Sequence, residues 1–126
     1  MPDCPFCEPA NEALLARNDN VFILWDSFPI SPGHALVTPI RHAASWADLK
    51  RDEKIEMLDG IDTAQQAIER KHAPQGYNIG INDGIAAGQT IMHVHLHVIP
   101  RYTGDSDDPR GGIRWILPGK ARYWEE

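Results

Sequence analysis

The stretch His93-Val94-His95-Leu96-His97-Val98-Ile99 decides how the fold of this chain is interpreted. Alternation of polar and apolar residues is typical of a half-buried strand, because successive side chains point to opposite faces of a sheet. The pattern predicts a strand over about residues 90–99, with valines and leucine on the core face. Same-face neighbours lie about 6–7 Å apart, so the three imidazoles should form one array on the other face.

Two kinds of chemistry suit such an array of imidazoles. Alternate histidines can bind one metal ion. Alternatively, a neutral imidazole can attack phosphorus while its neighbours donate hydrogen bonds to phosphate oxygens. The loop before the strand favours phosphate over metal because it offers glycines and neutral donors. These loop residues are Gly84, Gly88, Gln89 and Thr90.

Apolar runs elsewhere predict the remaining elements. From residue 51 to residue 71 the apolar residues recur at helical spacing and predict one long helix. Its predicted apolar face is formed by Ile55, Leu58, Ile61, Ala64 and Ile68. Further strands are predicted at residues 14–17, 21–26, 35–38 and 77–82. This order predicts an α+β fold, an antiparallel sheet of about five strands with one long helix and a short one.

Length and charge bound the class of protein. The chain has 126 residues and a net charge of −6, which predicts one domain and argues against non-specific binding to nucleic acid or anionic lipid. The N-terminus lacks the basic and apolar stretches of a targeting signal. The longest apolar run, Val21 to Trp25, is too short to span a membrane. We therefore expect a single cytoplasmic domain over residues 1–126, with neither nucleic acid nor membrane as a partner.

The two cysteines form the motif Cys4-Pro5-Phe6-Cys7. A structural disulfide is not expected in a reducing compartment. A thioredoxin-like redox pair would follow a strand and open a helix, and nothing precedes this pair to form such a strand. Metal binding is the better interpretation, provided that two further ligands exist.

The segment Gly88 to Arg101, GQTIMHVHLHVIPR, closely resembles the signature of the histidine triad (HIT) family. The resemblance extends upstream to Asp26, to residues 31–39 (SPGHALVTP) and to residues 82–84 (NDG). It covers about residues 4–105 in the order and spacing of the family. The resemblance implies a HIT-like fold.

The resemblance also implies the roles of the site residues. The middle histidine, His95, would attack the α-phosphate of a nucleotide conjugate and form a nucleotidyl-histidine intermediate. His97 would donate to the phosphate, and Asp26 would bind the ribose hydroxyls. A base pocket would include Phe6, Ile23 and Leu36. The implied substrate-binding residues are Asp26, His34, Asn82, Gln89 and Thr90, with the role of His34 the least defined.

In some bacterial members of the family, an N-terminal Cys-x-x-Cys pair and two histidines hold zinc. The matching positions here are Cys4, Cys7, His42 and His93. A Cys₂His₂ set closes a tetrahedral site and is structural rather than catalytic. We therefore expect one structural zinc and no organic cofactor, with His93 as a ligand.

The resemblance predicts a hydrolase or transferase that cleaves a phosphoanhydride or phosphoramidate bond of an AMP-type conjugate, such as a diadenosine polyphosphate. One alternative is a metal hydrolase that binds a catalytic zinc through His93, His95 and His97. Another is a nucleotide-binding regulatory protein with little turnover. The family also implies a homodimer. The N-terminal segment 1–10 would carry the cysteines, and the tail 103–126 would pack on the domain or on the dimer partner.

Overall fold

The computed structural model of the protein describes residues 4–125 and contains a five-stranded antiparallel sheet. The strands follow the order β1-β2-β3-β5-β4 across the sheet. Their bounds are β1 Leu14–Arg17, β2 Val21–Trp25, β3 Ala35–Pro39, β4 Gly76–Ile81 and β5 Leu96–Arg101. The long helix α1 spans Arg51–Glu69, and the short helix α2 spans Pro118–Ala121. The predicted fold class is confirmed.

The two faces of the sheet carry two separate apolar clusters. Helix α1 packs on one face, where Val21, Ile23 and Val37 are buried with residues of the helix. On the opposite face, Phe22 and Leu24 belong to a smaller cluster that also contains Phe6 and Leu36. Alternation along β2 and β3 therefore separates a helix-covered core from a face that is left for the functional site.

The predicted apolar face of α1 is wrong at its N-terminal end. Ile55 and Leu58 are 49% and 56% exposed. The face that packs on the sheet is built largely from small residues, because these let the helix lie close to β3. A Cβ atom on Gly60 would lie 2.6 Å from Cγ1 of Val37. The buried residues of the helix are Glu53, Met57, Gly60, Ala64, Ala67 and Ile68.

The predicted strand over residues 90–99 is wrong at its start, since β5 begins only at Leu96. The ladder between β3 and β5 ends at the pair Val37–Leu96. Beyond it, the Thr38 hydroxyl donates to the carbonyl of Val94 at 3.0 Å, and Pro39 has no N–H to continue the ladder. Residues 93–95 therefore run beside β3 without pairing to it as a strand.

Alternation nevertheless persists through this irregular segment. Val94, Leu96 and Val98 all lie in the helix-covered core. Val94 is held by its N–H, which donates to the carbonyl of Ala43 at 2.8 Å. The three histidines consequently lie on the opposite side, as the period-2 pattern predicts.

The tail follows β5 and folds back over β4. Cδ1 of Ile113 lies 3.4 Å from the position that a Cβ on Gly80 would occupy. The tail also leaves large apolar side chains exposed, with Ile116 76% and Leu117 65% accessible. Among residues 4–125, no helix has the length and apolar character that crossing a bilayer requires.

Candidate active site

A cavity of about 540 Å³ opens on the sheet face that α1 leaves free. Its apolar wall includes Phe6, Leu24, Leu36 and Ile91. The polar residues that line it include every predicted catalytic and substrate-binding residue: Asp26, His34, Asn82, Gln89, Thr90, His95 and His97. Ile23 is fully buried on the helix-covered face, and its neighbour Leu24 lines the cavity in its place.

The orientation of His95 follows from one backbone contact. Its Nδ1 lies 2.9 Å from the carbonyl oxygen of His93. Because a carbonyl only accepts, Nδ1 must carry the proton and donate it. In the neutral imidazole the other nitrogen, Nε2, then holds a free lone pair. The side chain is 9% exposed and lines the cavity, so His95 offers the cavity an unprotonated nitrogen.

The orientation of His97 is set by a chain of two hydrogen bonds. The N–H of Ile30 donates to Nδ1 of His34 at 3.2 Å, which leaves the single proton of a neutral His34 on Nε2. That Nε2 lies 2.9 Å from Nδ1 of His97. When it donates to His97, the proton of His97 lies on its own Nε2, the nitrogen opposite to the one that contacts His34.

His34 and His97 are both neutral near pH 7. Burial lowers the pKa of His34, although the nearby Asp26 carboxylate opposes the shift. Burial, and then the neighbouring His95 and His34, lower the pKa of His97 to about 4. In the free protein His97 is therefore a neutral N–H donor, and a positive charge on it would require an anion in the cavity.

Asp26 completes a second cluster of ligating groups. Its Oδ1 accepts the N–H of Phe28 at 2.8 Å. Its Oδ2 lies 3.3 Å from Nε2 of His34 and 3.9 Å from Nδ1 of His97. Both carboxylate oxygens keep a lone pair for a ligand, and Oδ2 competes with His97 for the same His34 proton.

The loop before the histidines is held by the side chain of Gln89, which is 5% exposed. Its Oε1 accepts the N–H of Gly84 at 2.8 Å. Its Nε2 donates to the carbonyls of Ala44 and Ile91 at 2.7 and 3.0 Å. Both N–H groups of the amide that the sequence assigns to phosphate binding thus already donate to backbone carbonyls, one in the loop and one at Ala44. Thr90 and Asn82 are exposed at the cavity.

The glycines of this loop are explained by backbone conformation. Gly84 and Gly88 have φ angles of +100° and +94°, in the region that favours glycine. A Cβ at either position would meet no atom of residues 4–125 within 4 Å. Tight turns, rather than close packing against protein atoms, require glycine here.

The predicted zinc ligands converge at one edge of the cavity wall. Cys4, Cys7, His42 and His93 place their ligating atoms within 4.8 Å of one another. Nδ1 of His93 lies 3.3 Å from Sγ of Cys4 and 3.2 Å from Nδ1 of His42. Tetrahedral zinc with Zn–S of about 2.3 Å and Zn–N of about 2.0 Å separates its ligand atoms by roughly 3.5 Å. The spacing fits zinc.

The second nitrogen of His93 supports the same assignment. Its Nε2 lies 2.7 Å from the carbonyl oxygen of Pro39 and must donate to it. This leaves Nδ1 unprotonated among the thiols, the arrangement expected of a histidine that binds a metal. Burial lowers the pKa of His93 and keeps it neutral, as metal binding requires.

The cysteine motif also touches His95. Phe6 lies between the two cysteines in sequence and is 8% exposed. Its ring centroid is 5.9 Å from that of His93 and 4.8 Å from that of His95. A metal held by the cysteines would therefore fix one wall of the cavity.

Comparisons with known proteins agree with this geometry. A family model described as "HIT domain" matches residues 9–104. The bis(5'-nucleosyl)-tetraphosphatase (asymmetrical) of Schizosaccharomyces pombe is 44% identical over 77 residues, covering 61% of this chain and 42% of that protein. The AP-4-A phosphorylase of Mycobacterium tuberculosis is 34% identical over 95 residues, covering 75% of this chain and 49% of that protein.

A solved structure extends the likeness over nearly the whole chain. The crystal structure of a zinc-bound histidine triad family protein from Mycobacterium smegmatis is 29% identical, with a TM-score of 0.74. The match covers 98% of this chain and 97% of that one. By contrast, the chain spans about half the length of the two relatives named for nucleotide chemistry.

One contributor to the site was missed by sequence reasoning. The backbone N–H of Ile30 sets the tautomer of His34. A backbone donor carries no residue-type signal, so no motif could identify it.

Proposed function

The chain belongs to the HIT domain family, and from this premise we propose that it cleaves nucleotide conjugates at the α-phosphate through a covalent nucleotidyl-histidine intermediate. The substrates are AMP-type conjugates with a phosphoanhydride or phosphoramidate bond. The observation that carries the proposal is the hydrogen bond from Nδ1 of His95 to the carbonyl of His93. It leaves Nε2 of His95 as an unprotonated nucleophile at the cavity.

In the first step, Nε2 of His95 attacks the α-phosphorus, and the bond from phosphorus to the leaving group breaks. The new N–P bond places positive charge on the ring, and the carbonyl of His93 stabilises this charge through the Nδ1 proton. The leaving group departs with the electron pair of the broken bond, and an amine leaving group takes up a proton from solvent water as it departs. In the second step, water or another acceptor attacks phosphorus, the electron pair of the N–P bond returns to Nε2, and the proton lost by the attacking water or acceptor passes to solvent.

The neighbouring residues bind and orient the substrate. His97 donates a hydrogen bond from Nε2 to a phosphate oxygen. Oδ2 of Asp26 accepts hydrogen bonds from the ribose hydroxyls. Asn82 and Thr90 lie at the cavity as neutral donors. Gln89 acts by holding the loop, since its amide is already paired.

We propose that Cys4, Cys7, His42 and His93 bind one zinc ion. When bound, zinc supplies a structural cross-link between the N-terminal segment and the residues before β5, and it supplies no step of the reaction. The residues themselves keep His93 in place, and with it the carbonyl that orients His95.

The metal-hydrolase alternative has less support. His93 is oriented toward the cysteines, while His97 contacts His34 and Asp26. His95 belongs to neither group of ligating atoms among the described residues. One ion held by all three histidines would require the segment to rearrange.

The test measures AMP release from adenosine 5'-phosphoramidate and diadenosine tetraphosphate. We expect His95→Ala to lower kcat by about 10³-fold or more, since it removes the nucleophile. His72→Ala is the matched control, because His72 lies outside the cavity that holds His95. Wild-type activity should survive brief chelation.

Three outcomes would overturn this mechanism. Equal AMP release by wild type and His95→Ala would remove His95 from the reaction. Immediate loss of wild-type activity on chelation would favour the metal hydrolase. AMP binding without release from either substrate would favour the regulatory protein.

We also propose that the chain forms a homodimer through the β4 edge of the sheet. Within residues 4–125, β4 has a neighbour on one side only, and Ile79 on this strand is 37% exposed. An exposed strand edge is a template for pairing with another chain. Sedimentation equilibrium should give twice the 14.1 kDa chain mass, and Ile79→Lys should shift the mass toward the monomer.

A further inference from the structure

We propose that His34 is a positioning residue that couples recognition of the ribose at Asp26 to the tautomer of His97. The inference rests on the proposed function, in which Asp26 binds ribose and His97 donates to phosphate. It adds a way in which the sugar of the substrate prepares the group that contacts the phosphate.

The coupling begins with the protons of His34. Its Nδ1 accepts the N–H of Ile30, and the ring is 4% exposed. A doubly protonated ring would point an N–H at this backbone donor. His34 therefore stays neutral and has one proton to give, on Nε2.

The second step concerns the two acceptors that face this proton. Nδ1 of His97 lies 2.9 Å from Nε2 of His34, and Oδ2 of Asp26 lies 3.3 Å from it. One N–H cannot make a full hydrogen bond to both. A proton given to Asp26 leaves Nδ1 of His97 without a donor, and the proton of His97 is then free to occupy either nitrogen.

The third step concerns the ribose. Oδ1 of Asp26 accepts the N–H of Phe28, and in this proposal a ribose hydroxyl donates to Oδ2, which has a second lone pair to accept it. This donation weakens the pull of Oδ2 on the His34 proton, which then bonds to Nδ1 of His97. The proton of His97 is thereby fixed on Nε2, in the form that donates to phosphate.

The test compares an adenosine 5'-phosphoramidate with its 2',3'-dideoxy analogue in wild type and two variants. In wild type, loss of the hydroxyls should lower kcat about ten-fold besides raising KM. Asp26→Ala removes the competing acceptor, so both substrates should show the same kcat. His34→Gln replaces one N–H by an amide with two, which can serve both acceptors. It should likewise remove the kcat difference, with a kcat above that of a variant that has no donor at this position.

His34→Leu provides the contrast, because it offers no donor. It should lower kcat for both substrates to a common value. A merely structural role for His34 predicts a different result, in which Gln and Leu lower kcat alike and the wild-type ratio between the substrates persists. That result would overturn the proposal.

A measurement without turnover separates this inference from the proposed function. The ring ¹⁵N chemical shifts of His97 distinguish a protonated from an unprotonated nitrogen. Adenosine, which carries the hydroxyls without a phosphate, should move the proton population to Nε2, and 2',3'-dideoxyadenosine should not. Equal shifts with both nucleosides would overturn the coupling even if the enzyme is active. The shift difference would support the coupling even if no substrate were cleaved.

Discussion

Two clusters of ligating side chains lie on either side of His95, and proximity alone does not distinguish them. The Cys4–Cys7–His42–His93 cluster and the Asp26–His34–His97 cluster each bring their ligand atoms within 4.8 Å. They differ in the outer hydrogen bonds of their histidines. Nε2–H of His93 donates a hydrogen bond to the carbonyl of Pro39, so the free lone pair of Nδ1 faces the inside of its cluster. Nδ1 of His34 accepts a hydrogen bond from the N–H of Ile30, so Nε2–H faces the inside of its cluster.

This difference assigns the two clusters to two kinds of chemistry. A metal needs an unprotonated nitrogen, which the cysteine cluster supplies together with two soft sulfur ligands. In the second cluster, the Nε2–H of His34 points at acceptors of the same cluster. A metal bound to Nε2 would displace this proton, and a proton moved to Nδ1 would then face the N–H of Ile30, which is also a donor. The cysteine cluster is therefore suited to zinc, and the second to proton positioning.

The largest expected effect comes from breaking the cysteine cluster. Cys7→Ser should release zinc and lower the free energy of unfolding by several kcal/mol, because binding of a structural metal contributes directly to folding. Mass spectrometry of bound metal and chemical denaturation measure the two effects. Asp26→Ala, in the other cluster, should leave zinc at one ion per chain. Retention of zinc by Cys7→Ser, with loss in Asp26→Ala, would reverse the assignment.

An intermediate effect is expected from acid on the second cluster. The pKa of His97 is lowered to about 4 in the folded chain, against about 6.5 when unfolded. Between these pH values only the unfolded chain takes up the proton, so stability that is present above pH 6.5 is lost as the pH falls toward 4. Wild type should lose on the order of 2 kcal/mol more than His97→Asn, since part of the ring stays solvated.

The comparison with His97→Asn cancels any acid effect on the cysteine cluster, which both proteins share. Denaturant unfolding at a series of pH values measures the difference. Parallel curves for the two proteins would show that His97 is not held neutral by the fold.

The smallest expected effect concerns the segment that joins the clusters. Thr38→Val removes the hydroxyl that donates to the carbonyl of Val94 in a buried environment. An unpaired buried acceptor costs about 1–3 kcal/mol, so the unfolding free energy should fall by about 1 kcal/mol or slightly more. Thr63→Val on the exposed side of α1 is the control. An equal loss of unfolding free energy in both variants would show that the Thr38 hydroxyl does not stabilise this segment.

The sequence allows the sheet and the face of the histidines to be predicted, because both depend on a simple alternation. Val94 and Leu96 reach the core although residues 93–95 are not in a strand. The predicted buried face of α1 is correct only in the C-terminal half of the helix. Close packing against Val37 depends on Gly60, and hydrophobicity cannot identify a glycine as a contact residue.

Within the site, side-chain types could be predicted but their hydrogen-bond partners could not. The amide of Gln89 suits phosphate equally well, yet two backbone groups of its own loop and the carbonyl of Ala44 use it. The tautomer of His34 depends on a backbone N–H whose position only the folded loop defines.

The cysteine cluster has one consequence for the order of folding. Cys4 and His93 are 89 residues apart in the chain, and closing a flexible loop of that length costs roughly 4 kcal/mol in chain entropy. Contacts of such long range form slowly unless other elements first bring the ends together. Hairpin pairing of β2 with β3 and docking of α1 reduce the gap before the cluster can close. We therefore expect the four ligands to assemble late in the folding of the chain, so that refolding rates should depend little on whether zinc is supplied early or late.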